Sequence, residues 1–148
     1  MKNKNISSNC EISKTSIIFD NVEIEDNVKI SDYCLIGYDP KKNNKKLIIR
    51  KNTIINSHTT IYSDSEIGEN NLIGHNVLIR EKTVLSKNVQ IGSYSDLEGH
   101  CKIGEYTKLH SNVHIGQHSN IMSYVYIFPY VILTNDPIPP SELRQGVI

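Results

Sequence analysis

The chain has 148 residues, with 16 Lys and Arg against 16 Asp and Glu and a formal net charge of zero. That length holds one domain, residues 1–148, and the balanced charge argues against a dedicated nucleic-acid binder, which normally carries a basic surface. At 38% hydrophobic residues the chain is not a disordered polymer; no apolar run approaches the ~20 residues that span a bilayer, and the basic start Met1-Lys2-Asn3-Lys4 leads into no apolar signal segment, so the expected compartment is the cytoplasm.

A period of six runs along the chain. It opens with Ile12, Ile18, Ile24, Ile30 and Ile36. It breaks at Tyr38-Asp39-Pro40-Lys41-Lys42-Asn43-Asn44-Lys45-Lys46, where seven residues are extra. It then resumes at Ile49 and continues through Ile55, Ile61, Ile67, Ile73, Ile79, Leu85, Ile91, Leu97, Ile103, Leu109, Ile115, Ile121 and Ile127 to Leu133. A run this long has a chance likelihood on the order of 10⁻¹⁰ before allowing for phase.

Two residues before each aliphatic lies a second column, mostly Cys, Ser, Thr or Val, with Leu47 and Asn71 as exceptions. A spacing of two places both residues on one side of a strand. Three residues after the aliphatic, turn formers recur at Asn21, Asn27, Asn52, Asp64, Asn70, Asn76, Asn88, Asn112 and Asp136. Asn and Asp tolerate the left-handed backbone that a tight corner needs. Gly follows the beat at Gly37, Gly68, Gly74, Gly92, Gly104 and Gly116. No stripe of period 3.6 is long enough for a helix. The pattern predicts an all-β chain of triangular coils, each side a short strand, stacked as parallel sheets about 4.8 Å apart. Six to seven coils make a prism on the order of 30 Å long, with an insertion loop near 38–46 and an extruded loop near 135–145.

Cys10, Cys34 and Cys101 all fall in the small-residue column and read as buried packing residues; no pair has zinc-type spacing, so no metal is expected. His58, His100 and His118 fall at corners, and His75 one residue before one. His110 and His114 flank inward residues and point outward. His110, His114 and His118 crowd two consecutive hexads, which sets that stretch apart.

This pattern resembles the hexapeptide-repeat acyltransferases. The resemblance implies a left-handed parallel β-helix, against the general rule of right-handed crossovers, and a homotrimer. The stretch from Leu109 to Asp136, with Asn112-Val113, Pro129 and Val131-Ile132-Leu133-Thr134-Asn135-Asp136, is similar to nucleotide-sugar N-acetyltransferases of surface-polysaccharide synthesis. That similarity implies acetyl-coenzyme A as co-substrate and a nucleotide-linked amino sugar as acceptor. A resemblance to UDP-N-acetylglucosamine acyltransferase and its relatives, whose catalytic His follows a corner Asn by one hexad, implies His118 as the base, with His114 in reserve. Asn112 is read both as a corner and as a residue near the substrate amine. Asn135, Asp136, Tyr124 and His110 are expected at the substrate. Lys41, Lys42, Lys45 and Lys46 offer four ammonium groups to phosphates, or simply a solvated loop. Relatives of this kind continue for further coils beyond the equivalent of Val147-Ile148, so the last coils are expected to be missing. Two other classes remain open: a metalloenzyme of the γ-carbonic anhydrase type, for which the four-residue His spacings fit poorly, and a non-catalytic β-helix scaffold.

Overall fold

The structure is a computed structural model that describes residues 4–136. The expected extruded loop lies almost wholly outside the described residues. Within them, strands of two to four residues follow one another without a helix. They sort into three seven-stranded parallel sheets, every third strand joining the same sheet. The first face carries Val22–Ile24, Leu47–Ile49 and Val84–Leu85, the second Lys29–Ile30, Leu72–Ile73 and Lys108–Leu109, and the third Leu35–Tyr38, Asp96–Leu97 and His114–Ile115. Partners lie 18 residues apart, as in Asp96↔His114, and 25 apart across the insertion, as in Ile36↔Ile61. The architecture is a triangular β-solenoid of about seven coils, consistent with left-handed winding.

The beat residues make the core. Ile36, Ile49, Ile55, Ile61, Ile67, Ile73, Ile79, Leu97, Leu109 and Ile115 are fully shut off from solvent. At 25 cal/mol per Å² of apolar surface this column is the main stabilising term. Short strands supply little cooperativity of their own, so axial stacking carries the fold.

The small-residue column explains its mixed chemistry. Thr59 donates to the Gly74 carbonyl at 2.8 Å and accepts from the Val77 N–H at 3.2 Å. Ser95 does the same with His110 O and Val113 N. Hydroxyls here satisfy backbone groups that the strand ladders leave over. Cys34 and Cys101 are buried, Cys10 is half-buried, and all three are free thiols. Burial pushes the Cys34 and Cys101 thiols up.

Eight of the anticipated corner residues, Asn21 through Asn112, have φ between 53° and 60°, while Asp136 does not adopt this backbone. An amide ladder ties one corner together: Asn27 donates to Asn52 and Asn52 to Asn70, each at 2.9 Å. Less expected, Tyr33, Tyr94, Tyr106, Tyr124 and Tyr130 also take φ of 58–63°. The cost of a left-handed tyrosine, roughly 1–2 kcal/mol, is offset in part by axial ring contacts; Tyr106 and Tyr124 stack 5.2 Å apart at 7°. Among the described residues no helix is long and apolar enough to cross a membrane.

Candidate active site

On the third face, the outward residue before each core aliphatic reads Leu35, Thr60, Leu78, Asp96, His114 and Ile132 along the axis. The column is apolar at both ends and ionisable in the middle. Parallel pairing sets Asp96 directly beneath His114. Asp96 Oδ2 lies 3.3 Å from His114 Nδ1, and Glu98 Oε1 lies 3.8 Å from Nε2. Glu98 is itself held, its Oε2 accepting the Gln117 N–H at 3.3 Å. Asp96 Oδ1 is sealed from solvent and has no hydrogen-bond partner among the described residues. Burial pushes the Asp96 carboxyl up from its ordinary range, against the pull of His114 and with the help of the Glu98 charge. The imidazole is half-exposed, so a substrate can reach it while a carboxylate orients it.

The corner that follows this face carries His118, with φ 67°. His118 is exposed, and its ring lies 4.6 Å from that of His100, one coil below. Asn135 packs at the same corner, where a Cβ on Gly116 would come within 3.0 Å of its backbone nitrogen; Asp136 stands next to it. The structure therefore brings His114, His118, Asn135 and Asp136 to one edge of the prism.

Other anticipated residues lie elsewhere on the protomer. Asn112 occupies the preceding corner, at the opposite end of the strand His114–Ile115, and its N–H bonds the Ser93 carbonyl. His110 faces outward on the second face, 6.4 Å from Tyr126 in ring-to-ring distance, with Nδ1 accepting the Ser111 N–H. Tyr124 sits at the third corner on Tyr106. Of the three crowded histidines, His110 thus lies on a different face from the edge that His114 and His118 share. Among the described residues no group of three His, Cys, Asp or Glu side chains could hold a metal ion. The basic loop is partly neutralised: Lys41 pairs with Glu81 at 3.2 Å, and Lys46 pairs with Glu23. Lys42 and Lys45 are exposed.

Asp96 and Glu98 lie outside the histidine-dense stretch that the sequence sets apart. The usable signal was the spacing: Asp96 precedes His114 by 18 residues, one coil of three hexads.

Comparison with known proteins agrees with this fold. No curated protein matches by sequence. The described solenoid is similar to UDP-N-acetylglucosamine acyltransferase from Bacteroides fragilis 9343, with a TM-score of 0.80, 19% identity, and coverage of 90% of this chain and 55% of that one. The chain thus spans about half the length of that structure. It is also similar to a hexapeptide transferase family protein from Anaplasma phagocytophilum, with a TM-score of 0.66, 18% identity, and coverage of 81% and 70%. Residues 46–81 and 82–117 each match the bacterial transferase hexapeptide family model, which describes six repeats. Across these two blocks the chain carries the repeat of the bacterial transferase hexapeptide family, wound into three parallel sheets.

Proposed function

We propose that the protein is an acyltransferase that moves an acetyl group from acetyl-coenzyme A to the amine of a nucleotide-linked sugar, and that His114 rather than His118 is its base. The observation that carries this is the contact of Asp96 with His114 Nδ1 at 3.3 Å on an accessible face. A base needs a pKa near neutrality and a fixed orientation. Asp96 holds the proton on Nδ1 and leaves Nε2 to accept one. The amine nitrogen attacks the thioester carbon, its proton passes to Nε2, and the carbon–sulfur bond breaks to give a thiolate that takes the proton from Nε2 and leaves as the thiol. Asp96 stabilises the imidazolium that forms. The match of two blocks to a transferase family model and likeness in fold to an acyltransferase support the reading.

The active assembly in this proposal is a homotrimer. Asn112, at the opposite end of its strand from the His118 corner, serves in this proposal an acceptor held by a neighbouring copy.

The test is thiol release from acetyl-coenzyme A in the presence of UDP- and dTDP-linked amino sugars. Wild-type protein transfers, and His114→Gln slows transfer by about 10²–10⁴-fold with an unchanged melting temperature. Full activity in His114→Gln overturns the assignment of the base; no transfer to any amino sugar overturns the substrate class.

A further inference from the structure

The insertion loop does not project freely into solvent. It folds against the corner that carries Asp64, Lys82 and His100, and a cavity of about 100 Å³ lies between them. Lys41, Asn43 and Lys45 from the loop, and Ser63, Lys82 and His100 from the corner, supply hydrogen-bond donors. Three carboxylates also line it, and two of them are engaged. Asp39 Oδ2 accepts the Asn44 N–H at 2.9 Å. Glu81 is held by Lys41 at 3.2 Å and Arg80 at 3.4 Å. Lys45 and Lys82 form no ion pair among the described residues. Beside one further carboxylate, Asp64, the cavity therefore keeps two uncommitted ammonium groups and an imidazole in a space too small for a nucleobase.

We propose that this cavity binds the diphosphate of a nucleotide-bearing substrate, with Lys82, His100 and Lys45 as its donors. Lys82 and His100 stand on successive coils, about 4.8 Å apart, so adjacent phosphoryl groups each meet one. Neither residue was among those anticipated from the sequence. The surroundings of His100 agree: burial holds its pKa down, and Lys82, His118 and Lys41 push the same way against Glu81. A bound anion relieves that mutual repulsion. Lys82 also lies two coils below His114, about 10 Å along the axis. A ligand anchored here reaches the reactive face only through an extended arm. Coenzyme A and a nucleotide sugar share the diphosphate, and the experiment separates them.

This inference names a subsite for the activity proposed above, but its readout is binding alone. Calorimetric titrations use inorganic pyrophosphate, coenzyme A and a UDP-sugar against the full chain. Pyrophosphate binds in a salt-dependent manner, and Lys82→Asn and His100→Asn each weaken it at least tenfold. Asn is chosen because both positions are left-handed, with φ of 57° and 55°. Lys45→Gln, on the exposed loop, gives the same loss should a corner variant melt early. Whichever of coenzyme A and the UDP-sugar loses affinity in step with pyrophosphate is the ligand seated there. Absence of pyrophosphate binding to the wild type, or equal binding by the variants, overturns the proposal. Diphosphate binding without acetyl transfer leaves the subsite standing and removes the proposed activity.

Discussion

Asp96 and His114 occupy the same outward position on successive coils of the third face, and their side chains meet at 3.3 Å. The parallel register makes this contact; no loop is needed to bring the two residues together. Asp96→Asn replaces an acceptor with an amide that can donate to Nδ1 and so reverse the tautomer. Transfer is expected to fall at least tenfold with little change in the Michaelis constants, measured by thiol release. The pH profile adds a sign. Burial raises the Asp96 carboxyl pKa, so in wild type the rate drops as pH falls through that raised value, and Asp96→Asn loses this limb. For stability the native state binds this proton more tightly than the unfolded chain. The group's contribution is therefore largest in acid and declines as pH climbs just above the ordinary aspartate range.

Two buried threonines in the same column predict opposite outcomes. Thr59 links Gly74 O and Val77 N, and Val77 N has no other partner among the described residues. Thr59→Val strands both groups and should cost about 1–3 kcal/mol in urea unfolding. Thr83 Oγ1 is equally buried but has no partner among the described residues. Thr83→Val should be neutral or stabilising. Equal losses in the two variants would show that the hydroxyls do not act through the backbone.

Gly92 tests the closeness of the coils. A Cβ at this position would lie 2.4 Å from the carbonyl carbon of His110 and 2.5 Å from the Ser111 nitrogen. Both are backbone atoms of the next coil and neither can swing away. Gly92→Ala should destabilise by about 1–3 kcal/mol, the range for overpacking, as read by chemical denaturation.

Arg50 bridges two carboxylates, Glu25 at 2.8 Å and Glu66 at 2.7 Å. The Arg50 hydrogen bond holds the Glu25 carboxyl below its usual range, with burial opposing and Lys51 N–H assisting. A depressed carboxylate stabilises the fold above its unfolded pKa, and that stability is lost as pH falls through the folded value. Arg50→Gln should therefore lower the melting temperature at neutral pH, with the gap closing in acid. Partial exposure keeps the effect near 1 kcal/mol or less.

The solenoid was legible because its period is short and each element obeys the same rule. Ile49 to Leu133 specify the inward column, and Asn27, Asn52 and Asn70 specify a corner. Tyr94, Tyr106 and Lys82 fall on the same third residue after the beat, but their chemistry gives no sign of a left-handed backbone; position, rather than side-chain type, decides it. The site was less legible for a related reason. Local crowding drew His110, His114 and His118 together, whereas the fold sends neighbours along the chain to different walls and unites residues 18 apart. Lys82 and His100 are joined to the insertion loop only by the fold, which lays that loop against their corner.

The register has a consequence for how such a molecule changes over generations. Because each wall is a stack of equivalent storeys, duplicating eighteen residues adds height without disturbing any existing wall. Deleting a single residue instead turns everything above it toward the wrong side. Whole-storey gains and losses are thus the gentle moves open to this architecture, and the distance between two chemistries on one wall can be reset in steps of one storey.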